Sequence, residues 1–261
     1  MDYLLVGLVA LAASGLTFFS GFGLGTLLMP AFALLMPLPA AIAATAVVHL
    51  LNNLFKLLLV GRAANRAIVF RFGLPAAAAA FAGAGALVLF AGLSPIATYQ
   101  LFGTVVEVTP VKLVIGCLVI LFASLELIPA FAALALPPRY LVIGGLLSGF
   151  FGGLSGNQGA LRSAFLIKSG LDKHAFVATG VVCAVVVDIV RLSVYGASSP
   201  QTGFLALAGS NAGLVMIAVL CAFTGAFVGA RLLDKVTLRF VRLFVAAAMM
   251  VIGAGLAAGL L

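Results

Sequence analysis

Two short stretches hold most of the residues that could do chemistry in an otherwise apolar chain. In TAVVHLLNNLFK, Thr45, His49, Asn52, Asn53 and Lys56 follow one another at i, i+4, i+7, i+8 and i+11. That spacing lines side chains along one face of a helix. In GFFGGLSGNQGALRSAF (149–165), Ser155, Gly156, Asn157, Gln158, Gly159 and Arg162 stand among glycines. Further on, Thr179, Asp188, Arg191 and Tyr195 make a second stripe, with Asp188 and Arg191 at i, i+3 where they can pair. These residues are amide and hydroxyl donors, cations and one carboxylate. Together they suit the binding of a small anion away from water. A charge at the centre of a bilayer costs about 2.5–3.5 kcal/mol, so such residues normally face a cavity and work there. Lys56 has the alternative of snorkelling toward a basic loop, and His49 that of a satisfied core histidine or a proton relay.

The surroundings explain why burial is at issue. Of 261 residues, 65% are hydrophobic and 8% charged, where soluble domains carry roughly a quarter charged residues. Apolar runs recur along the whole length, which predicts an all-α polytopic membrane protein with no soluble domain. The apolar start has no basic flank and reads as part of the fold. The net charge of +8 sits mostly in short loops, where it sets topology and does not argue for nucleic acid. Cys117, Cys183 and Cys221 have no metal-type spacing and read as packed thiols. No metal or cofactor is expected.

Spans long enough to cross lie near 40–60, 72–93, 110–128, 174–195, 204–230 and 238–260. Two further segments, 3–36 and 140–169, are apolar but broken by glycine-rich runs, like pairs of half-helices. They match each other: SGLTFFSGFGLGTLL (14–28) lies over SGFFGGLSGNQGALR (148–162) at an offset of 134, and ATAVV (44–48) falls on ATGVV (178–182). One residue of slippage then brings Lys56 onto Arg191. The chain divides into an N-terminal repeat, 1–135, and a C-terminal repeat, 136–261, within one transmembrane domain. Loop charges swap sides between the repeats: Arg62, Arg66 and Arg71 have no basic counterparts at 196–203, while Lys168 and Lys173 answer a neutral 36–39. The positive-inside rule then predicts two inverted repeats, each a re-entrant broken-helix hairpin plus three transmembrane helices. Eight plain spans are the competing count, and would place Lys168 and Lys173 outside.

Non-helical backbone survives at membrane depth only where protein or a polar cavity satisfies it. The breaks, Ser20, Gly21, Gly23, Gly25 and Thr26 in one repeat and Ser155 to Gly159 in the other, are expected to meet near the midplane. Half-helices starting at Thr26 and Ala160 would point free N–H groups and positive ends at one spot, a setting for an anion. The plainer alternative is that the glycines only let helices pack closely.

SGFGLGTLLMP, TAVVHLLNNLFK and SGFFGGLSGNQGALRSAF, in duplicated halves of this size, resemble the TauE/SafE sulfite-exporter family over essentially the whole chain. The resemblance implies a bacterial cytoplasmic-membrane transporter, not an enzyme, that moves sulfite or an organosulfonate such as sulfoacetate or taurine. Many members carry a plain Gly-Gly-Gly run at the break, where this chain has GLGT and GNQG. The substrate-binding set expected is therefore both breaks together with His49, Asn52, Asn53, Lys56, Arg162, Asp188 and Arg191. A coupling proton or sodium ion, and a homo-oligomer, are left open. Two other readings compete. Inverted halves also suit an anion channel. GLSG (153–156) matches the motif of intramembrane serine hydrolases, although a base for Ser155 would have to be His174 or, from the other half, His49.

Overall fold

The computed structural model describes residues 1–20, 24–128, 134–198, 211–232 and 239–261, with the side chains at 16–20, 126, 230, 232 and 239–245 outside that description. Helices dominate, as a bilayer requires of a chain that must satisfy its own backbone. They are α1 (Asp2–Ser20), α2 (Leu24–Ala33), α3 (Leu38–Val60), α4 (Arg66–Ala91), α5 (Pro110–Leu127), α6 (Leu141–Ser155), α7 (Gly159–Leu166), α8 (Lys173–Ser198), α9 (Ala212–Leu232) and α10 (Arg239–Ala257). The only sheet among the described residues is a hairpin of β1 (Ala97–Leu101) and β2 (Thr104–Val108), antiparallel, with Leu101 opposite Thr104.

The second broken segment is observed as expected, and the first is described only on either side of its break. In the first, α1 and α2 flank residues 21–23, so Gly21 and Gly23 lie outside the described residues. In the second, α6 and α7 flank Gly156–Gln158. Among the described residues, four helices are long and apolar enough to cross a membrane: Leu38–Ala63, Arg66–Ala91, Lys173–Ser198 and Ala212–Gly229. Their outer faces carry Leu58, Phe81, Met216 and Leu220 well exposed. Meanwhile His49, Asn52, Lys56, Asp188 and Arg191 are buried. Apolar outside and polar within is the pattern of a protein solvated by lipid.

Three features depart from the expectations. The span foreseen at 72–93 starts at Arg66, and its first turns include a π-helical stretch, Val69–Gly73. The region 92–109 forms the β-hairpin, turned by Phe102 at φ 49 and Gly103 at φ 81. Cys117 is exposed on α5 and only Cys183 is buried, because α5 turns one side outward and a thiol tolerates either setting.

Packing links the two broken segments to helices of the opposite half. α6 lies along α4, and α1 lies along α9. A β-carbon on Gly145, Gly149 or Gly153 would stand 2.3, 2.0 or 2.2 Å from the carbonyl oxygens of Phe72, Ala76 and Ala80. These glycines are therefore the close-packing devices of the plainer alternative. On the other side, Gly225 and Gly229 press in the same way against Leu11 and Gly15. α3 and α8 cross at the centre, and α5 pairs with α10.

Candidate functional site

The central crossing brings together the polar faces of α3 and α8. His49 Nδ1 and Asp188 Oδ2 are 2.6 Å apart, both buried. A hydrogen bond joins them, and Asn53 Nδ2 donates to the same carboxylate oxygen at 3.3 Å. On the other side of that carboxylate, Arg191 Nη2 stands 2.7 Å from Oδ1 as an ion pair, though without the alignment of a hydrogen bond. Asp188 is thus shared by His49, Asn53 and Arg191. Such a pair persists in a low-dielectric interior only when its members satisfy one another, and removal of one partner typically costs about 3–5 kcal/mol.

Arg191 also reaches the second break. Its Nη1 donates to the Gly152 carbonyl at 3.4 Å, and Tyr195 Oη donates to the Gly153 carbonyl. Cations and donors near a helix C-terminus meet its free carbonyls and its negative end. The break itself is turned by Gly156, whose φ of 81° closes α6 in the left-handed region that favours glycine. A β-carbon there would lie 2.7 Å from Arg191 Nη1. Ser155 Oγ donates to the Phe151 carbonyl and accepts from the Asn157 N–H, and Ser148 Oγ donates to the Gln158 carbonyl.

The start of α2 meets the second break. A β-carbon on Gly25 would come within 3.3 Å of the Gly156 carbonyl oxygen and 3.6 Å of Thr45 Cγ2. Gly25 and Thr26 are buried at the start of α2. The N-terminus of α7 carries no side-chain cap. Around this junction, polar atoms are buried without hydrogen-bond partners: Thr45 Oγ1, both side-chain atoms of Asn157, Gln158 Nε2, and Arg191 Nε and Nη2. Farther out, Asn52 accepts from Ser14 Oγ at 3.1 Å and leaves its Nδ2 unbonded. Arg162 Nη1 is likewise unbonded, and the arginine's charge reaches His49, Lys56 and Asp188. An unbonded buried polar group typically costs about 1–3 kcal/mol, so a cluster of them is a setting suited to a polar ligand.

Most of the expected site is therefore gathered in one region: Gly25, His49, Asn53, Gly156, Asn157, Gln158, Gly159, Asp188 and Arg191 lie at the junction or the crossing. Lys56 is buried on the α3 stripe and does not snorkel to the surface. Ser20 ends α1 with its side chain outside the described residues. Thr179 leaves the stripe for a structural duty, accepting the Asn65 N–H at 2.9 Å where α4 begins. Ser155 has its hydroxyl committed to backbone, His174 is exposed at the start of α8, and His49 is engaged with Asp188 and Asn53. Sequence reasoning missed Ser14 and Ser148, whose matched positions at the offset of 134 were the available signal. It also missed the union of His49 with Asp188.

Among the described residues no group of side chains could hold a metal ion. The sequence matches the family model described as sulfite exporter TauE/SafE over residues 4–256. No curated protein matches it. With nearly the whole chain covered, and with apolar helices enclosing a polar centre, this multi-pass membrane protein belongs to the TauE/SafE sulfite exporter family.

Proposed function

We propose that the protein is a secondary transporter of the cytoplasmic membrane that binds a small sulfur oxyanion, sulfite or an organosulfonate, where its two breaks meet. The observation that carries this reading is the set of buried, unbonded N–H donors on Asn157, Gln158 and Arg191 beside the uncapped N-terminus of α7. A tetrahedral or pyramidal oxyanion presents several acceptors around one sulfur. Neutral amide donors hold it with less desolvation cost than added cations, and so let it leave. Arg191 supplies charge balance, with Arg162 and Lys56 within electrostatic range of the site.

Broken helices that close on one site favour alternating access over an open pore. In this reading the halves, 1–135 and 136–261, are inverted repeats, and the α1–α9 and α4–α6 pairs move about the α3–α8 crossing. Counterflow in proteoliposomes is the test. Vesicles preloaded with unlabelled anion should accumulate labelled sulfite, thiosulfate or sulfoacetate transiently, with saturation. Non-saturating flux without counterflow would make the protein a channel. Topology is checked by single-cysteine labelling at exposed positions. Reagent applied outside should reach 37 and 198 and miss 63 and 174, and labelling at 174 would overturn the inverted arrangement.

A further inference from the structure

Resting on that reading, we infer that the His49–Asp188 pair binds a coupling proton, taken up together with the anion. Three observations carry this. His49 Nδ1 and Asp188 Oδ2 stand at hydrogen-bond distance, 2.6 Å, and both residues are buried. Asp188 holds, with its other oxygen, the same guanidinium that borders the donor cluster of the break. Arg191 keeps Nε unbonded while Nη2 is paired with Asp188, so an anion can join the guanidinium at Nε without displacing a hydrogen bond.

The charges make the two events one. In the empty site, Asp188 is the counter-charge of Arg191 and the hydrogen-bond partner of a neutral His49. An arriving anion puts a second negative charge beside that guanidinium. Two negative charges on one cation, in a medium of low dielectric, repel strongly. A proton taken up by the pair converts neutral imidazole and carboxylate into imidazolium and carboxylate, and restores the balance. Among the described residues, the charged and titratable groups that face the pair are Arg191 and Tyr195 on α8 and Arg162 on α7, with Asn53 on α3 as a hydrogen-bond donor. None of these is a carboxylate, so Asp188 with His49 is the place for the proton. By linkage, the proton must raise anion affinity by the same factor that the anion raises proton affinity. Movement of a monoanion with one proton is electroneutral, so pH and anion gradients set its direction and the membrane potential does not.

The test uses the purified full chain and methanesulfonate, which carries no proton of its own near neutral pH. Calorimetry in buffers of different ionisation enthalpy counts protons taken up on binding, and about one per anion is expected near pH 7.5. In proteoliposomes containing a trapped pH dye, an inward methanesulfonate gradient should acidify the lumen, and valinomycin-imposed potentials should leave the rate unchanged. His49→Gln should lower the anion flux and, as the deciding readout, bring the proton-to-anion ratio close to zero. If His49→Gln does not fold, the wild-type proton count still decides. Anion binding with no proton uptake overturns the coupling and leaves the transport reading standing. If neither methanesulfonate nor sulfite binds or moves, both fall.

Discussion

Ser14 and Ser148 stand 134 residues apart at matching places in the two broken segments, and both are fully buried. Ser14 donates across to Asn52 on α3, whereas Ser148 donates within its own hairpin, to the Gln158 carbonyl. The same divergence recurs along the two segments. Thr45 has its hydroxyl unbonded beside the first break, while Thr179, its counterpart, fixes the start of α4. His49 has Cys183 at its matching place, and Lys56 has Arg191. The imidazole thus stands on one side of the α3–α8 crossing, and the carboxylate with its guanidinium on the other. The first half supplies the titratable imidazole, and the second supplies carboxylate, guanidinium and amide donors. The geometry of the junction comes from both.

The largest effect should separate the two matched cations. Arg191→Ala should abolish anion flux in proteoliposomes, since it leaves Asp188 without its ion-pair partner and the break without its charge. Lys56→Ala should leave measurable flux with a raised KM. Equal loss in both would mean that the charge is shared evenly between the halves.

Next in size is the pair of matched glycines. Gly149→Ala drives a methyl against the Ala76 carbonyl, where Gly15→Ala meets the Gly225 oxygen only at 3.3 Å. Thermal unfolding in detergent should show Gly149→Ala destabilised by about 1–3 kcal/mol or more, with the Gly15 variant well below that. The reverse order would show that the α1–α9 crossing, not α4–α6, is the tighter one.

Polar residues of the second break should then show weaker but specific losses. Asn157→Ala and Gln158→Ala should each weaken binding of the best anion by about 1–3 kcal/mol in calorimetry, the scale of a lost hydrogen bond to a charge. Gly156→Val belongs with them as a block, because it adds bulk at φ 81° against Arg191. Unchanged affinity in all three would reduce the break to a packing device.

The smallest contrast is between the threonines. Thr179→Val should cost about 1 kcal/mol of stability, by leaving the Asn65 N–H without its acceptor, and should leave affinity alone. Thr45→Val should do the opposite. A stability loss at Thr45 would mean that its hydroxyl has a structural partner after all.

How much of this was legible in the sequence depended on the range of the interaction. The helices were, because a lipid-solvated helix must be apolar over most of its length and that pattern is local. Asp188 with Arg191 was, because i, i+3 is a helical distance. His49 with Asp188 was not, since 139 residues separate them and only the α3–α8 crossing joins them. The glycines of 149–165 looked alike in sequence, yet Gly149 and Gly153 admit α4 while Gly156 turns the chain. Which duty each has depends on what passes nearby. The β-hairpin was signalled by the alternation in TYQLFGTVVEV and its Phe-Gly turn, but lay in a region read only for charge.

The exchange of partners between the halves has a consequence for biosynthesis. α1 leaves the ribosome long before α9, and the groove that receives it is formed by Gly225 and Gly229 of α9. It must therefore wait in the translocon or the lipid, with Leu11 and Gly15 uncovered, until most of the chain has been made. α6 finds α4 already in place. Assembly of the second hairpin can accompany translation, whereas that of the first is a late, post-insertion event. A chain arrested before α9 would then be the natural substrate of membrane quality control.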